Sequence, residues 1–167
     1  FDKLMLTPFS RGALVLGPTF AGAIFLAVQA AVILAVGVLI GLWPVTGFWG
    51  LVAVVINAML LGLSFAGLMI AVALLSGNAS ATQSANFLFF PLTFLSETFV
   101  PIDLLQGWLQ VVATYNPITY VLQGMRAVIN QGWAWDTILI SYAVCLVTGA
   151  VTFAFCLYAL RRRTSRQ

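Results

Sequence analysis

Few side chains in this chain could carry out acid–base, nucleophilic or metal chemistry. The sequence has no histidine, and no charged residue lies between Arg11 and Glu97. It contains no GxxxxGK[ST] phosphate loop, no Cys/His set at metal-ligand spacing and no pair of carboxylates within one apolar run. We therefore expect no catalytic, cofactor or metal site in this chain, and no ATPase activity of its own.

The polar groups that remain are amides and hydroxyls inside long apolar runs. Gln29, Asn57 and Ser64 lie deepest in those runs. Such side chains either form hydrogen bonds between helices or line a path for a substrate, and the sequence leaves both alternatives open. We interpret Cys145 and Cys156, which fall in the last apolar run, as small apolar residues.

The composition is that of an integral membrane protein. Charged residues make up 7% of the 167 positions, against roughly a quarter in soluble domains. A soluble fold of this size could not bury so much apolar surface, because small domains leave much of their surface exposed. No ionisable group lies between Gly12 and Ser96, and Glu97 falls near the outer end of its run. This disfavours a carrier driven by a proton or ion gradient, since such carriers need ionisable groups within the membrane.

Hydropathy predicts an all-α membrane protein with four transmembrane helices. The four apolar runs cover Leu16–Leu42, Phe48–Leu75, Ala85–Val100 and Thr137–Leu160. Pro18 is expected to start the first helix sharply, and Pro91 to kink the short third one. Small residues spaced four apart predict close helix packing at two places. These are Gly37 and Gly41 in the first run, and Ala58, Gly62 and Ala66 in the second.

The segment 102–135 is apolar enough to suggest a fifth crossing, but two arguments oppose it. It carries too many polar side chains for a helix exposed to lipid. With four crossings, Lys3 and Arg11 share a side with the C-terminal RRRTSR, as the positive-inside rule requires. We therefore predict an outer-leaflet helical hairpin between the third and fourth spans, with both ends of the chain cytoplasmic.

The hairpin should consist of two short helices. Trp108, Val111, Val112 and Tyr115 follow helical spacing and form one apolar stripe on the first of them. Asn116 is a favoured N-cap for the second helix, and Pro117 suits its first position. Trp residues at 133 and 135 are expected at the membrane interface, just before the last span.

The stretch from Asn86 to Arg126 resembles the signature region of ABC transporter permeases of the type-2 exporter class, in the C-terminal portion of the drug-resistance-exporter-like members. In that family an F-P-L-x-F-L-S-x-x-F-x-P run precedes W-L-Q, then N-P-x-T-Y, and the region closes on an arginine. The corresponding elements here are Phe90–Pro101, Trp108–Gln110, Asn116–Tyr120 and Arg126.

The resemblance implies an all-helical permease domain over residues 1–167 that works with a separate ABC ATPase subunit, which binds the ATP. Residues 1–13 would form a cytoplasmic coupling segment, with Lys3, Leu6, Thr7, Pro8 and Arg11 as its contacts with the ATPase. The four runs would correspond to the third to sixth spans of the family, the first two being absent. A proline at position 18, where the family often has lysine, and a glutamate at position 97, where small residues are usual, depart from its pattern.

The resemblance also implies alternating access between two permease copies, as a homodimer or heterodimer in a bacterial cell membrane. Arg126 is hypothesised to pair with Asp103 or Glu97 and stabilise an outer gate, although Glu97 could equally be a carboxylate at the interface. The candidate gate and pathway residues are Gln29, Asn57, Pro91, Glu97, Asn116, Pro117 and Arg126. The expected function is export of hydrophobic or amphipathic, drug-like substrates. The alternatives are a lipid or polysaccharide exporter, a passive channel, or a membrane scaffold that transports nothing.

Overall fold

The computed structural model describes residues 11–76, 91, 93–96 and 104–164. Three helices in this part of the chain are long and apolar enough to cross a membrane. They are α1 (Arg11–Leu39), α2 (Gly47–Ser76) and α5 (Trp135–Thr164). They match three of the four predicted runs. Most of the third run lies outside the described residues, so the count of four crossings stays a prediction.

Two short helices precede α5. Helix α3 covers Trp108–Tyr115 and α4 covers Pro117–Arg126, and α4 continues directly into a π-helical segment, Ala127–Gln131. Asn116 separates α3 from α4 and caps α4, as its residue type predicts. Its side chain accepts a hydrogen bond from the backbone N–H of Ile118 at 3.0 Å, and Pro117 lies at the start of the helix.

The prediction that Pro18 starts the first helix is wrong. Helix α1 begins at Arg11 and continues through Pro18. A proline removes one backbone hydrogen bond. Within an apolar span, however, the neighbouring backbone groups still form the hydrogen bonds of the helix, because no water is present there to take their place. The helix therefore tolerates the proline instead of beginning at it.

Helix α2 packs along both α1 and α5. Its contact with α1 uses the small residues predicted in the second run. A Cβ on Gly62 would lie 3.1 Å from the Cα of Ala23, and a Cβ on Gly22 would lie 3.7 Å from the Cβ of Ala66. Residue numbers rise along α2 as they fall along α1, so these two helices are antiparallel.

The other small-residue pair has a different role. Gly41 lies beyond the end of α1 with a φ of +99°, in the turn that leads to α2. Among the described residues, a Cβ on Gly37 would meet only Leu42 of that same turn within 4 Å, and the Leu42 N–H donates to the Gly37 carbonyl at 2.9 Å. Gly37 and Gly41 thus shape a turn and form no contact with another helix in the part of the chain that the structure describes. A glycine is favoured at a positive φ because it has no Cβ.

Helices α2 and α5 run parallel to one another. The N-terminal part of their contact contains Val54 and Ile138, which cluster with Val128 of the π-helical segment. The C-terminal part contains Ala71, Cys156 and Ala159. Residue numbers rise together along both helices. Because Val128 joins the N-terminal cluster, the segment after α4 lies at the end of the bundle where α2 and α5 begin.

Candidate functional site

A line of buried polar side chains lies between α2 and α5. We call it the polar seam and define it as Asn57, Ser64, Ser141 and Cys145. Each of them is at most 3% exposed. Buried polar groups at membrane depth are expected to be hydrogen-bonded, because neither lipid nor water satisfies them there.

Asn57 uses both ends of its side-chain amide in the seam. Its Nδ2 donates to the Ser141 Oγ at 2.6 Å, and its Oδ1 accepts from the Cys145 Sγ at 3.4 Å. Both partners lie on α5, one turn apart. The amide of α2 therefore bridges two successive turns of α5.

Ser64 forms the second polar contact of the seam, two turns further along α2. Its hydroxyl lies 2.8 Å from the backbone carbonyl of Cys145 and 2.9 Å from that of Leu60. The hydroxyl has a single hydrogen, which the two carbonyls share. Gly149 of α5 faces Ser64, where a Cβ would come within 3.1 Å of the hydroxyl oxygen. The glycine lets the two backbones approach closely.

The seam also reaches the short helix α4. Ser141 Oγ lies 3.5 Å from the backbone carbonyl of Val121, which is long for a hydrogen bond. The stronger evidence of contact is steric. A Cβ on Gly124 would overlap the Ser141 side chain, and it would lie 3.6 Å from the Nδ2 of Asn57. Ser141 is thus the point at which α2, α4 and α5 meet.

A second set of bonds holds the end of α4 to the turn between α1 and α2. The backbone carbonyl of Val128 accepts from the Thr46 Oγ1 at 2.8 Å, and that of Ile129 accepts from the Val45 N–H at 3.0 Å. Both acceptors lie in the π-helical segment. A π-helical turn shifts the backbone pairing, and here two of its carbonyls bond to the α1–α2 turn.

Tyr142 adds a further bond between α2 and α5 near the same end. Its hydroxyl donates to the backbone carbonyl of Ala53 at 2.8 Å. Close by, the indole rings of Trp133 and Trp135 stack with centroids 5.2 Å apart. Both rings are partly exposed at the start of α5. This arrangement is typical of aromatic side chains at a membrane interface.

Helix α3 is bonded to α4 through side chains of α4. The Thr119 hydroxyl donates to the carbonyl of Ala113, and the Tyr120 hydroxyl to that of Thr114, both at 2.8 Å. Ala113 is buried. The predicted apolar stripe on the opposite side is exposed along its whole length. It comprises Trp108, Val111, Val112 and Tyr115.

The predicted site residues do not form one group. Asn57 belongs to the polar seam, whereas Gln29 is exposed near the middle of the membrane-spanning part of α1. Asn116 and Pro117 begin α4, and Arg126 is half-buried in its last turn.

Most of the remaining predicted residues lie outside the described part of the chain. Pro91 is exposed. Glu97 and Asp103, the hypothesised partners of Arg126, lie outside the described residues. Of the predicted coupling contacts, Arg11 is the first residue of α1. The others, Lys3, Leu6, Thr7 and Pro8, also lie outside the described residues.

Sequence reasoning missed the α5 half of the seam. Ser141, Cys145 and Gly149 lie at intervals of four, so they form one small-residue stripe along the helix. Asn57 and Ser64, seven residues apart, share one face of α2 in the same way. A search for paired small or polar stripes on two different spans would have identified this interface. Cys145 was interpreted as a small apolar residue, but it donates a hydrogen bond to Asn57.

The described residues include no group of three or more potential metal ligands among His, Cys, Asp and Glu. Both cysteines are free and buried. What the seam provides is hydrogen bonding and close packing that fix three helices relative to one another.

Comparison with known proteins gives one family and one curated relative. The family model described as ABC-2 type transporter matches residues 1–130. The chain is similar to the daunorubicin resistance ABC transporter permease protein DrrB1 of Streptomyces coeruleorubidus, with 25% identity over 153 residues. The match covers 90% of this chain and 53% of the relative, so the chain spans about half of that protein's length. No solved structure gives a significant match.

Proposed function

Because this chain belongs to the ABC-2 type transporter family, we propose that it forms the translocation pathway in the permease subunit of an ATP-driven exporter. The observation that carries this proposal is the similarity to a drug-resistance permease over 90% of the chain. The absence of ionisable residues between Arg11 and Glu97 supports it, since energy from an ATPase subunit makes proton- or ion-coupling groups unnecessary.

The direction of the described helices supports four crossings. Helices α2 and α5 are parallel, so both cross the membrane in the same sense. The chain must therefore return across the membrane between the end of α2 and the start of α5. The basic residues near both ends then lie on the cytoplasmic side, and the α3–α4 pair lies on the outer side.

On this topology, the α3–α4 pair with its break at Asn116 and Pro117 forms the outer gate. Two features support that role. The exposed stripe of α3 faces away from the described helices, and Arg126 ends α4 on the side opposite the basic termini. Segment 1–13 would receive the movement of the ATPase and transmit it along α1.

The hypothesised pairing of Arg126 gives a specific test of the gate. If Arg126 pairs with Asp103 or Glu97, replacing it by alanine should lower the rate of export while leaving the amount of folded protein unchanged. Arg126→Lys is the matched control, because it keeps the charge. Export assayed in cells at equal expression of each variant tests this, and unchanged export in Arg126→Ala would exclude a role in gating.

The proposed substrates are hydrophobic or amphipathic and drug-like. The similar Streptomyces protein is a daunorubicin resistance permease by name, and the spans here offer few polar side chains to recognise a sugar or peptide. Two copies of the permease, each with an ATPase subunit, would enclose the pathway.

The test is reconstitution of the complete gene product in liposomes with its ATPase subunit. Anthracycline-type compounds should stimulate ATP hydrolysis and accumulate on the trans side in an ATP-dependent manner. Stimulation by lipid-linked glycans or phospholipids instead would change the substrate class. ATP hydrolysis that is the same with and without this subunit would favour a scaffold and contradict the proposal.

A further inference from the structure

Ser141 occupies a junction of three helices that family membership does not explain. Its side chain is fully buried. It accepts a hydrogen bond from Asn57 of α2 and lies against Val121 and Gly124 of α4. Any side chain at position 124 would collide with Ser141, so the glycine allows α4 to lie directly on the seam.

Helix α4 depends on such contacts for its position. It has 10 residues and continues into the five-residue π-helical segment, and helices of up to about 15 residues are marginal on their own. Helix α4 packs along α5, and two further sets of contacts add to this packing. Val121 and Gly124 rest on the seam, and the π-helical segment that follows is bonded to Thr46 and Val45 of the α1–α2 turn. Two separated attachments restrain both translation and rotation of the helix.

We infer that Asn57 and Ser141 are positioning residues that hold α4 on α2 and α5, so that α4, α2 and α5 move as one body in the transport cycle. The inference rests on the proposed function, because only a transport cycle gives the movement a purpose. Helix α3 is linked to this body through its hydrogen bonds to Thr119 and Tyr120 of α4.

The seam contains its own matched control. Ser64 is also a buried serine that bonds across the α2–α5 interface. Its described partners are the backbone carbonyls of Leu60 and Cys145, on α2 and α5. Ser64→Ala therefore weakens the α2–α5 contact alone, whereas Ser141→Ala also removes a hydroxyl that lies against Val121 and Gly124 of α4.

The experiment measures the distance between two spin labels in the complete gene product, without ATP or substrate. The labels are attached to cysteines introduced at Leu122 of α4 and Leu146 of α5, which is exposed. A protein without introduced cysteines controls for background labelling of Cys145 and Cys156, both of which are buried.

We expect a narrow distance distribution for the unaltered seam and for Ser64→Ala. Ser141→Ala should add a second, displaced population. The ratio of displaced to docked α4 should rise by up to about threefold, the change that corresponds to one average interhelical hydrogen bond in a membrane protein, because the Ser141–Val121 distance is long for such a bond. Gly124→Ala should displace α4 while leaving the Asn57 and Ser141 side chains in place.

Two results would overturn the inference. One is a Ser141→Ala distribution that matches the unaltered protein, and the other is equal broadening in Ser64→Ala. If Ser141→Ala does not fold, the distance between the labels is measured in Gly124→Ala instead. An unchanged distance in that variant counts against the inference.

Because the distances are recorded without transport, they separate this inference from the proposed function. Displacement of α4 in a protein that proves unable to export would refute the exporter role and leave the positioning role intact. ATP-dependent export with no displacement of α4 in any variant would refute the positioning role and leave the exporter role intact.

Discussion

The two amide side chains in the described spans have opposite environments. Asn57 of α2 is 3% exposed and bonded at both ends to α5. Gln29 of α1, at a similar membrane depth, is exposed. The two contact faces of α2 also differ, one being polar and the other apolar. Its face toward α5 is joined by polar bonds, whereas Gly62 brings α2 close to α1 through apolar contact.

The spans also differ in how much of each is buried. In the most apolar stretch of each span, 6% of the residues are buried in α1, against 33% in α2 and 22% in α5. An exposed amide near the middle of a span is unfavourable in lipid. The comparison teaches that Asn57 has a structural partner within these helices, while Gln29 remains available to the translocation pathway or to another transmembrane helix.

The largest effect is expected at the apolar face of α2. Gly62→Val should force α1 away from α2, because a Cβ at this position would already lie 3.1 Å from the backbone of Ala23. Overpacking of this kind lowers the free energy of unfolding by about 1–3 kcal/mol. Reversible unfolding in mixed detergent micelles measures it. Gly17→Val is the matched control, since a Cβ at Gly17 meets none of the described residues within 4 Å. Equal losses of stability in both variants would contradict the packing argument.

An intermediate effect is expected at the polar face. Asn57→Leu removes the bonds to Ser141 and Cys145. Interhelical hydrogen bonds in membranes contribute about 0.6 kcal/mol each on average and at most about 1.7. The free energy of unfolding should therefore fall by about 1–2 kcal/mol in the same assay. Stability equal to that of the unaltered protein would mean that the seam contributes nothing to the fold.

The smallest effect on stability is expected for Gln29→Leu. The side chain is exposed, so its loss should change the free energy of unfolding by less than about 0.5 kcal/mol. If Gln29 lines the pathway, the Michaelis constant for export should rise at unchanged basal ATP hydrolysis. Transport kinetics in liposomes measure this. A loss of stability as large as that of Asn57→Leu would remove the contrast between the two amides.

Hydropathy and capping chemistry predicted much of the fold. Three spans lie within a few residues of their predicted ends, and Asn116 caps α4 as expected. Predictions from local sequence were wrong where the surrounding structure determines the backbone conformation. Pro18 lies inside α1 because an apolar environment maintains the helix on both sides of it. Gly37 and Gly41 matched a packing motif, yet they shape a turn.

The amino-acid sequence by itself determined that this is a helical membrane protein with no charged residue between Arg11 and Glu97, and it carried the family's signature from Phe90 to Arg126. Only the tertiary structure decided which helices pair, and therefore which polar side chains are buried and hydrogen-bonded. The physical reason is that lipid is as apolar as the helices themselves. Lateral pairing therefore depends on a few hydrogen bonds and close contacts, such as those of Ser141, which the order of residues along one helix does not specify.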